Sequence, residues 1–226
     1  MRLKTFFMLT LCTFLFTGAC SSALAAEASL ESILSRYSEV DDVRFSFTQT
    51  LVHQTSGGQD EQKGFLHFKK PMLVYWEITA PAPELIVVTK DSIWNVFPDV
   101  ELAKKYSLEL ANDSANLIRV ISGLDKLEKD FLIEENGSED GLRIVHLYPK
   151  EPTQSLTEAI LWLDEKNRTV KRIRVYDFYS NQNELRFETE ETNLHPEDSL
   201  FTYTPPSGFD VEDLSEGGAL PVPQNQ

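Results

Sequence analysis

The feature that most constrains this chain is a long series of short runs rich in Val, Ile, Leu, Phe, Tyr and Trp. Gly, Asn, Asp and Ser punctuate the runs, with Gly57-Gly58 and Asn136-Gly137 among the predicted hairpin turns. Such runs are typical of strands joined in sequence, so they predict one large, mainly antiparallel sheet. The predicted strands cover residues 43–52, 64–68, 73–78, 84–90, 92–97, 142–149, 158–164, 170–178, 183–190 and 199–205.

One stretch, FLHFKKPMLVYWEITAP at residues 65–81, places large apolar side chains on both faces of two predicted strands. Successive side chains of a strand point to opposite faces, so Leu66 and Phe68 point one way and Phe65 points the other. Tyr75 and Trp76 likewise point to opposite faces. This part of the sheet therefore needs apolar cover on both sides. We expect one face to pack against helices. The residues on the other face should pack against other parts of the core or line a cavity.

Two segments show helical rather than strand periodicity. Ser29 is a suitable cap for the first helix, and Gly123 is placed to end the second. A strongly curved sheet with this many strands tends towards a barrel, and two helices with apolar stripes can cover its open face. The predicted fold class is mainly β with an α lid: a half-open antiparallel β-barrel covered by helices around an apolar cavity. The first stripe is Leu30, Ile33, Leu34 and Tyr37, and the second is Leu117, Ile118, Ile121 and Leu124.

The two ends of the chain have their own signatures. Basic residues, a short apolar run and an Ala-Leu-Ala site predict a secretory signal peptide at residues 1–25, with the mature chain starting near Ala26. Residues 26–214 form the predicted domain, and the Gly- and Pro-rich residues 215–226 a disordered tail. An alternative for the leader is that Thr17-Gly18-Ala19-Cys20, which loosely resembles a lipoprotein processing site, is cleaved and acylated on Cys20.

Composition and motifs argue against several classes of function. The formal net charge of −15 makes nucleic acid an unsuitable partner. Both cysteines precede the predicted cleavage site, and the histidines stand apart from one another, so we expect no disulfide and no metal site. Phosphate-binding, dinucleotide-binding and nucleophile-elbow motifs are absent from the sequence, which predicts neither a cofactor nor catalytic residues. The four histidines are His53, His67, His146 and His195.

Four stretches together resemble the LolA family of periplasmic lipoprotein carriers. The first is FSFTQT, Phe45 to Thr50, and the second is KGFLHFKKPMLVYWEITAP, Lys63 to Pro81. The third, Glu84 to Asp99, is similar to the family's hairpin that ends in a tryptophan, and the fourth, Phe201 to Asp213, to its C-terminal signature. Each motif is weak alone, but their combination and order are specific, and the resemblance covers most of the predicted mature chain.

The resemblance implies a monomeric, non-enzymatic carrier in the periplasm that hides the acyl chains of lipoproteins. It further implies an inner-membrane lipoprotein-releasing ABC transporter that loads the carrier and an outer-membrane receptor that unloads it. On this basis the predicted lid residues are Leu117, Ile118 and Ile121. The same residues could instead be ordinary core, because core and cavity residues look identical in sequence. The predicted cavity wall consists of Phe47, Phe68, Trp76 and Trp94.

Lys70 occupies the position where the family usually has an arginine that holds the helical lid closed through hydrogen bonds. The resemblance therefore implies that Lys70 is the lid latch. Lysine keeps the positive charge and three donors but lacks the planar fork of the guanidinium group.

Two other functions remain open from the sequence. The first is the outer-membrane receptor itself, a lipoprotein of similar fold anchored through Cys20. The second is a hydrolase or a sugar-binding β-protein. The mass of the mature protein separates the receptor from the carrier, and turnover of an ester or glycoside panel would indicate the hydrolase.

Overall fold

The computed structural model describes residues 29–108 and 116–215. The predicted signal peptide and all of the predicted tail except Ser215 lie outside this part of the chain. The helices are α1 (Leu30–Ser38), α2 (Asn116–Ser122) and α3 (Leu127–Asp130), and 3-10 turns span Pro98–Val100 and Asp198–Phe201. The strands are β1 (Asp42–His53), β2 (Gly58–Lys69), β3 (Leu73–Ala80), β4 (Glu84–Val88), β5 (Ile93–Phe97), β6 (Leu102–Tyr106), β7 (Phe131–Glu139), β8 (Leu142–Pro149), β9 (Glu158–Asp164), β10 (Thr169–Tyr176), β11 (Gln182–Thr192) and β12 (Asp210–Asp213).

The described strands form a single curved, open sheet of twelve strands in the order β12-β6-β5-β4-β3-β2-β1-β11-β10-β9-β8-β7. Neighbouring strands are antiparallel except β12, which pairs in parallel with β6. β1 lies near the middle of the sheet, paired along its length with β2 and β11. The two halves meander outwards from it and end at β7 and β12. The predicted fold class, a half-open antiparallel β-barrel with a few covering helices, is confirmed.

The main core fills the concave face of this sheet, beneath α1 and α2. Phe45 and Phe187 stack there with ring centroids 4.1 Å apart. α1 begins as predicted, because the Ser29 side chain accepts a hydrogen bond from the Ser32 backbone N–H. Its residues Ile33, Leu34 and Tyr37 are buried, which confirms the predicted apolar stripe.

The convex face of β2 to β5 is covered by the segment that follows β11. Phe201 is 2% exposed and packs edge-on against His67, and Tyr203 packs against Trp94. Farther along the same face, Phe65 is 36% exposed beneath the guanidinium group of Arg44. The two-sided apolar pattern of residues 65–81 therefore has two causes: the core on one face and the C-terminal segment on part of the other.

Gly64 is required by a close approach between strands. A Cβ atom at this position would lie 1.9 Å from the carbonyl oxygen of Glu77 and 3.0 Å from the Phe47 ring. The register between β2 and β3 shifts between Lys63 and Gly64, so a bulge brings the two backbones together here.

Several local predictions differ from the structure. Asn136-Gly137 lies inside β7 at a register shift, and the turn to β8 falls instead at Asp140-Gly141. Residues 199–205 form a 3-10 turn followed by irregular chain rather than a strand. Strands β6, β7 and β12 were not predicted, because their polar composition hides the strand pattern.

Candidate functional site

A cavity of about 260 Å³ lies between the concave face of the sheet and α2. Strands β1, β3, β4, β5, β10 and β11 contribute to its wall, and the first turn of α2 closes one side. Most of the inner surface is aliphatic or aromatic, whereas His53, Asp177 and the amides of residues 181–183 lie at the end formed by the β10–β11 turn. The apolar lining residues are Leu51, Val52, Trp76, Ile78, Ile86, Val88, Ile93, Leu117, Ile118 and Val175.

Strand register explains why these side chains share one surface. Trp76 pairs with Leu66 on one side and with Ile86 on the other, and Ile86 pairs with Asn95. Directly paired residues point to the same face of a sheet, so these rows run across the concave side. Trp76 is 6% exposed and meets Phe47 edge-on, with ring centroids 5.5 Å apart.

The four predicted wall residues occupy three different environments. Trp76 lines the cavity. Phe47 and Phe68 are on the concave face, 1% and 5% exposed, in the core and not among the lining residues. Trp94 is on the convex face, where it contacts Tyr203 and lies beneath the Lys105 ammonium group. Its neighbours Ile93 and Asn95 line the cavity instead, so placing Trp94 in the wall assigned it to the wrong face of β5.

The predicted lid corresponds to α2. Leu117 and Ile118 line the cavity, while Ile121 is buried one turn later in the main core. The Gly123 N–H donates to the Arg119 carbonyl oxygen where the helix ends, as the sequence predicted.

Lys70 lies between the end of α1 and the segment that follows α2. Its Nζ donates to the carbonyl oxygens of Tyr37 at 2.8 Å and Ser38 at 3.0 Å, in the last turn of α1. The same ammonium group is 3.7 Å from Asp125 Oδ2, in the segment between α2 and α3. A cation at the C-terminus of a helix is favoured by the unpaired carbonyl groups there. One side chain therefore contacts the end of α1 and the chain that follows α2.

α1 is also fixed to the sheet through Tyr37. The Tyr37 hydroxyl donates to Glu190 Oε2 at 3.0 Å and accepts from the Val170 N–H at 2.9 Å. Burial, together with the negative charge of Glu190, raises the pKa of Tyr37. Arg36 forms an ion pair with the same carboxylate. The periodicity of α1 placed Tyr37 on the buried stripe but gave no sign of these polar partners.

Asp42 joins β1 to the C-terminal segment and was not singled out from the sequence. It is 1% exposed and accepts hydrogen bonds from His67 Nε2 at 3.0 Å and from the backbone N–H groups of Leu194 at 3.0 Å and His195 at 2.9 Å. Burial alone would raise the pKa of Asp42, but these hydrogen bonds outweigh it and lower the pKa below its usual value. The network holds the segment that continues to Phe201 and Tyr203.

Three buried amide side chains in the cavity wall were also missed by the sequence. Gln49, Asn95 and Asn116 are 2%, 4% and 9% exposed and all line the cavity. Next to them, burial raises the pKa of Glu84, although a hydrogen bond from Asn95 opposes this effect. The strand phase could have located Gln49, because it continues the inward series of Phe45 and Phe47.

No helix in the described ranges, 29–108 and 116–215, combines the length and the apolar character needed to cross a membrane.

The solved structure of an uncharacterized conserved protein from Thermus thermophilus superimposes with a TM-score of 0.50 at 12% identity. The match covers 80% of this chain and 94% of that one, and it is a likeness of fold.

Comparison with known proteins leads to the same family as the sequence motifs. An outer-membrane lipoprotein carrier protein from Neisseria meningitidis is 26% identical over 202 residues, which cover 88% of this chain and 95% of the relative. One from Dechloromonas aromatica is 24% identical over 171 residues, covering 75% of this chain and 80% of the relative. The profile of a family described as "Outer membrane lipoprotein carrier protein LolA" matches residues 38–204. With a match over most of its length, the chain belongs to the LolA family of outer membrane lipoprotein carrier proteins.

Proposed function

We propose that this protein is a periplasmic carrier that shields the acyl chains of lipoproteins and transfers them from the inner membrane to an outer-membrane receptor. The observation that carries the proposal is the apolar cavity between the sheet and α2, in a member of the LolA family. The carrier acts as a monomer. An inner-membrane lipoprotein-releasing ABC transporter loads it, and acylated lipoproteins are its cargo.

The physical need for such a cavity follows from the cost of exposing acyl chains. Each buried methylene group gains roughly 0.8 kcal/mol, so a segment of about ten methylenes gains roughly 8 kcal/mol. A permanently open apolar pocket would bind such a chain at about micromolar affinity or better and release it slowly. A cavity that closes when empty offsets part of this gain, because opening it exposes the apolar surface of Leu117 and Ile118.

Lys70 is the proposed latch of the closed state. Its hydrogen bonds to the last turn of α1 and its proximity to Asp125 connect the end of α1 with the segment that follows α2. If these helices separate when cargo enters, these contacts are lost, and their free energy is subtracted from the gain of acyl burial. Phe47 supports Trp76 by packing edge-on against its ring, and Phe68 belongs to the same buried core.

The proposal is tested by filling the cavity with a side chain. Ile86 lines the cavity, so the larger side chain of Ile86→Trp should occupy part of it. This variant should not bind a fluorescent acyl probe and should not release a lipoprotein from inner-membrane vesicles. Leu132→Trp is the matched control, because Leu132 is 60% exposed on β7, away from the cavity wall. If Ile86→Trp extracts lipoprotein from the vesicles as well as the control does, acyl chains are not held in this cavity.

The alternative of a membrane-anchored receptor has a direct test. The intact mass of the protein isolated from its own cell envelope reports whether Cys20 remains and carries acyl groups. A mass that corresponds to a chain starting near Ala26 supports the carrier, and an acylated Cys20 supports the receptor.

A further inference from the structure

The turn between β10 and β11 presents two aromatic rings to solvent beside the cavity. Phe178 is 68% exposed and Tyr179 64%, more than any other aromatic residue in the ranges 29–108 and 116–215. Their rings meet edge-on, with centroids 5.5 Å apart. The cavity is lined by Asp177 and Asn181, on either side of this pair, and not by the pair itself. Two large adjacent apolar side chains kept in water at this place indicate a surface that makes contact with something else.

Hydrogen bonds fix the backbone of the turn that carries these rings. Asp177 Oδ1 accepts from the backbone N–H groups of Tyr179 at 2.8 Å and Asn181 at 2.9 Å. The Phe178 N–H donates to the carbonyl oxygen of Gln154 at 2.8 Å, in the connection between β8 and β9. Because the backbone is already ordered, a contact made through the two rings loses little additional conformational entropy.

The surface around the two rings is formed by uncharged residues. The Gln54 N–H donates to Asn181 Oδ1 at 2.9 Å, so the β1–β2 turn lies against the β10–β11 turn. The Asp177 carboxylate is used inside its own turn, where Oδ2 accepts from Asn181 Nδ2 at 2.7 Å. A quarter of the whole chain is charged and its net charge is −15, yet three stretches joined by these hydrogen bonds contain no charged residue. They are residues 54–59, 152–157 and 178–183.

The cavity reaches the protein surface at this same end. His53, Asp177 and Asn181 line it and are partly exposed, and the His53 side chain retains 36% of its accessible surface. Anything that contacts the Phe178–Tyr179 pair is therefore also close to the polar end of the cavity.

We propose that this end of the protein docks on the surface of a bilayer of zwitterionic lipid, with Phe178 and Tyr179 inserted at the level of the head groups. Aromatic side chains, tyrosine above all, are favoured at that depth. A lipid surface adapts to two projecting rings, whereas a protein partner would need a pocket that matches them. The uncharged stretches are the part of this acidic protein that a bilayer repels least.

The inference rests on the proposed function and specifies where the carrier touches a membrane. Two aromatic side chains give a weak and reversible attachment, as a single acyl anchor does, so the protein can leave the bilayer again. During the contact the polar end of the cavity lies at the lipid surface, from which an acyl chain would have only a short path to the apolar wall.

The test is flotation of the purified protein with phosphatidylcholine vesicles at millimolar lipid concentrations. Replacing both rings, in Phe178→Ser with Tyr179→Ser, should lower the partition coefficient at least about tenfold, which corresponds to about 1.4 kcal/mol. Full burial of a single phenylalanine contributes at least that much. The double variant should bind the fluorescent acyl probe in solution as the unaltered protein does, because neither ring lines the cavity.

Met72→Ser with Leu194→Ser is the matched control. These residues are 38% and 48% exposed, and they follow β2 and β11 at the end of β1 opposite to the Phe178–Tyr179 turn. The control removes two exposed apolar side chains from the far end of the sheet, so its partition coefficient should equal that of the unaltered protein.

Lipid charge provides a second measurement. Replacing part of the phosphatidylcholine by phosphatidylglycerol should weaken binding, and added salt should restore it, because salt screens the repulsion between the acidic protein and the anionic surface. Tighter binding to the anionic vesicles would overturn the inference, since a basic surface elsewhere would then make the contact.

Three other results would overturn the inference. The first is that the unaltered protein does not bind the vesicles, and the second is that the double variant and the control bind them equally. The third is that the double variant binds lipid normally but transfers the probe slowly to receptor-bearing vesicles, which would assign the rings to a protein partner. None of these results touches the carrier function, which fails only if the unaltered protein does not bind the acyl probe.

Discussion

Replacing Lys70 by methionine should alter cargo transfer more than folding. Methionine keeps most of the apolar stem but removes the ammonium group that bonds to Tyr37 and Ser38. Hydrogen bonds to a charged group contribute about 1.5–3 kcal/mol in total, and the side chain is 31% exposed, so the lower half of this range applies. The Asp125 carboxylate at 3.7 Å adds under about 1 kcal/mol, since the pair is partly exposed to solvent.

A loss of about 2 kcal/mol from the closed state changes the ratio of closed to open protein by about 30-fold. The acyl probe should therefore bind up to about 30-fold more tightly to Lys70→Met, and its transfer to vesicles that carry the receptor should slow. Lys70→Arg should restore the parent behaviour, because the guanidinium group can reach the same carbonyl oxygens. The assay is a fluorescence titration followed by a stopped-flow transfer experiment.

The adjacent residue provides the matched control. Lys69 donates to the Pro196 carbonyl oxygen at 3.2 Å and to Asp198 at 2.7 Å, so its contacts are with the C-terminal segment and not with α1. Lys69→Met makes the same change of charge one position away and should leave probe affinity unchanged. The latch reasoning is refuted if Lys69→Met and Lys70→Met bind and transfer the probe equally well.

Two further predictions concern stability. Gly64→Ala should lower the free energy of unfolding by about 2–3 kcal/mol in urea, since its Cβ would overlap the Glu77 carbonyl group, while Gly58→Ala should change it by under about 0.5 kcal/mol. Asp42 has a lowered pKa in the folded protein, so its stabilising effect is complete above the ordinary carboxyl pKa of about 4 and is lost as the pH falls below that value. Asp42→Asn should therefore weaken the loss of stability as the pH falls below about 4, measured by urea unfolding at each pH, and an unchanged slope would count against the network.

Much of the fold could be predicted because its signals are local. The stripe of α1, the Ser29 cap and the alternation of β1 each depend on residues close together in the chain. β12 reads Asp-Val-Glu-Asp and all four of its residues are exposed, so only its pairing with β6 makes it a strand. That pairing depends on distant residues, which a single sequence does not reveal.

The site was only partly predictable, for a geometric reason. On β5, Ile93 and Asn95 face the cavity and Trp94 faces away. Because side chains alternate between the two faces, an error of one residue in the assumed phase of the strand assigns the wrong side chains to the wall. The large tryptophan suggested the wrong phase, because the C-terminal segment that covers it on the other face was not recognised. The buried amides were missed because a buried Gln or Asn looks like a surface residue until the strands are aligned.

The two edge strands of the described sheet carry negative charges that bear on pairing between molecules. β7 and β12 each have one side without a neighbouring strand, and unpaired backbone groups of this kind invite pairing between molecules. Both strands are rich in carboxylates and largely exposed: Glu134, Glu135 and Glu139 lie on β7, and Asp210, Glu212 and Asp213 on β12. Two copies approaching edge to edge would therefore bring like charges together. Charge repulsion at both edges therefore opposes edge-to-edge pairing of a sheet that has not closed into a full barrel.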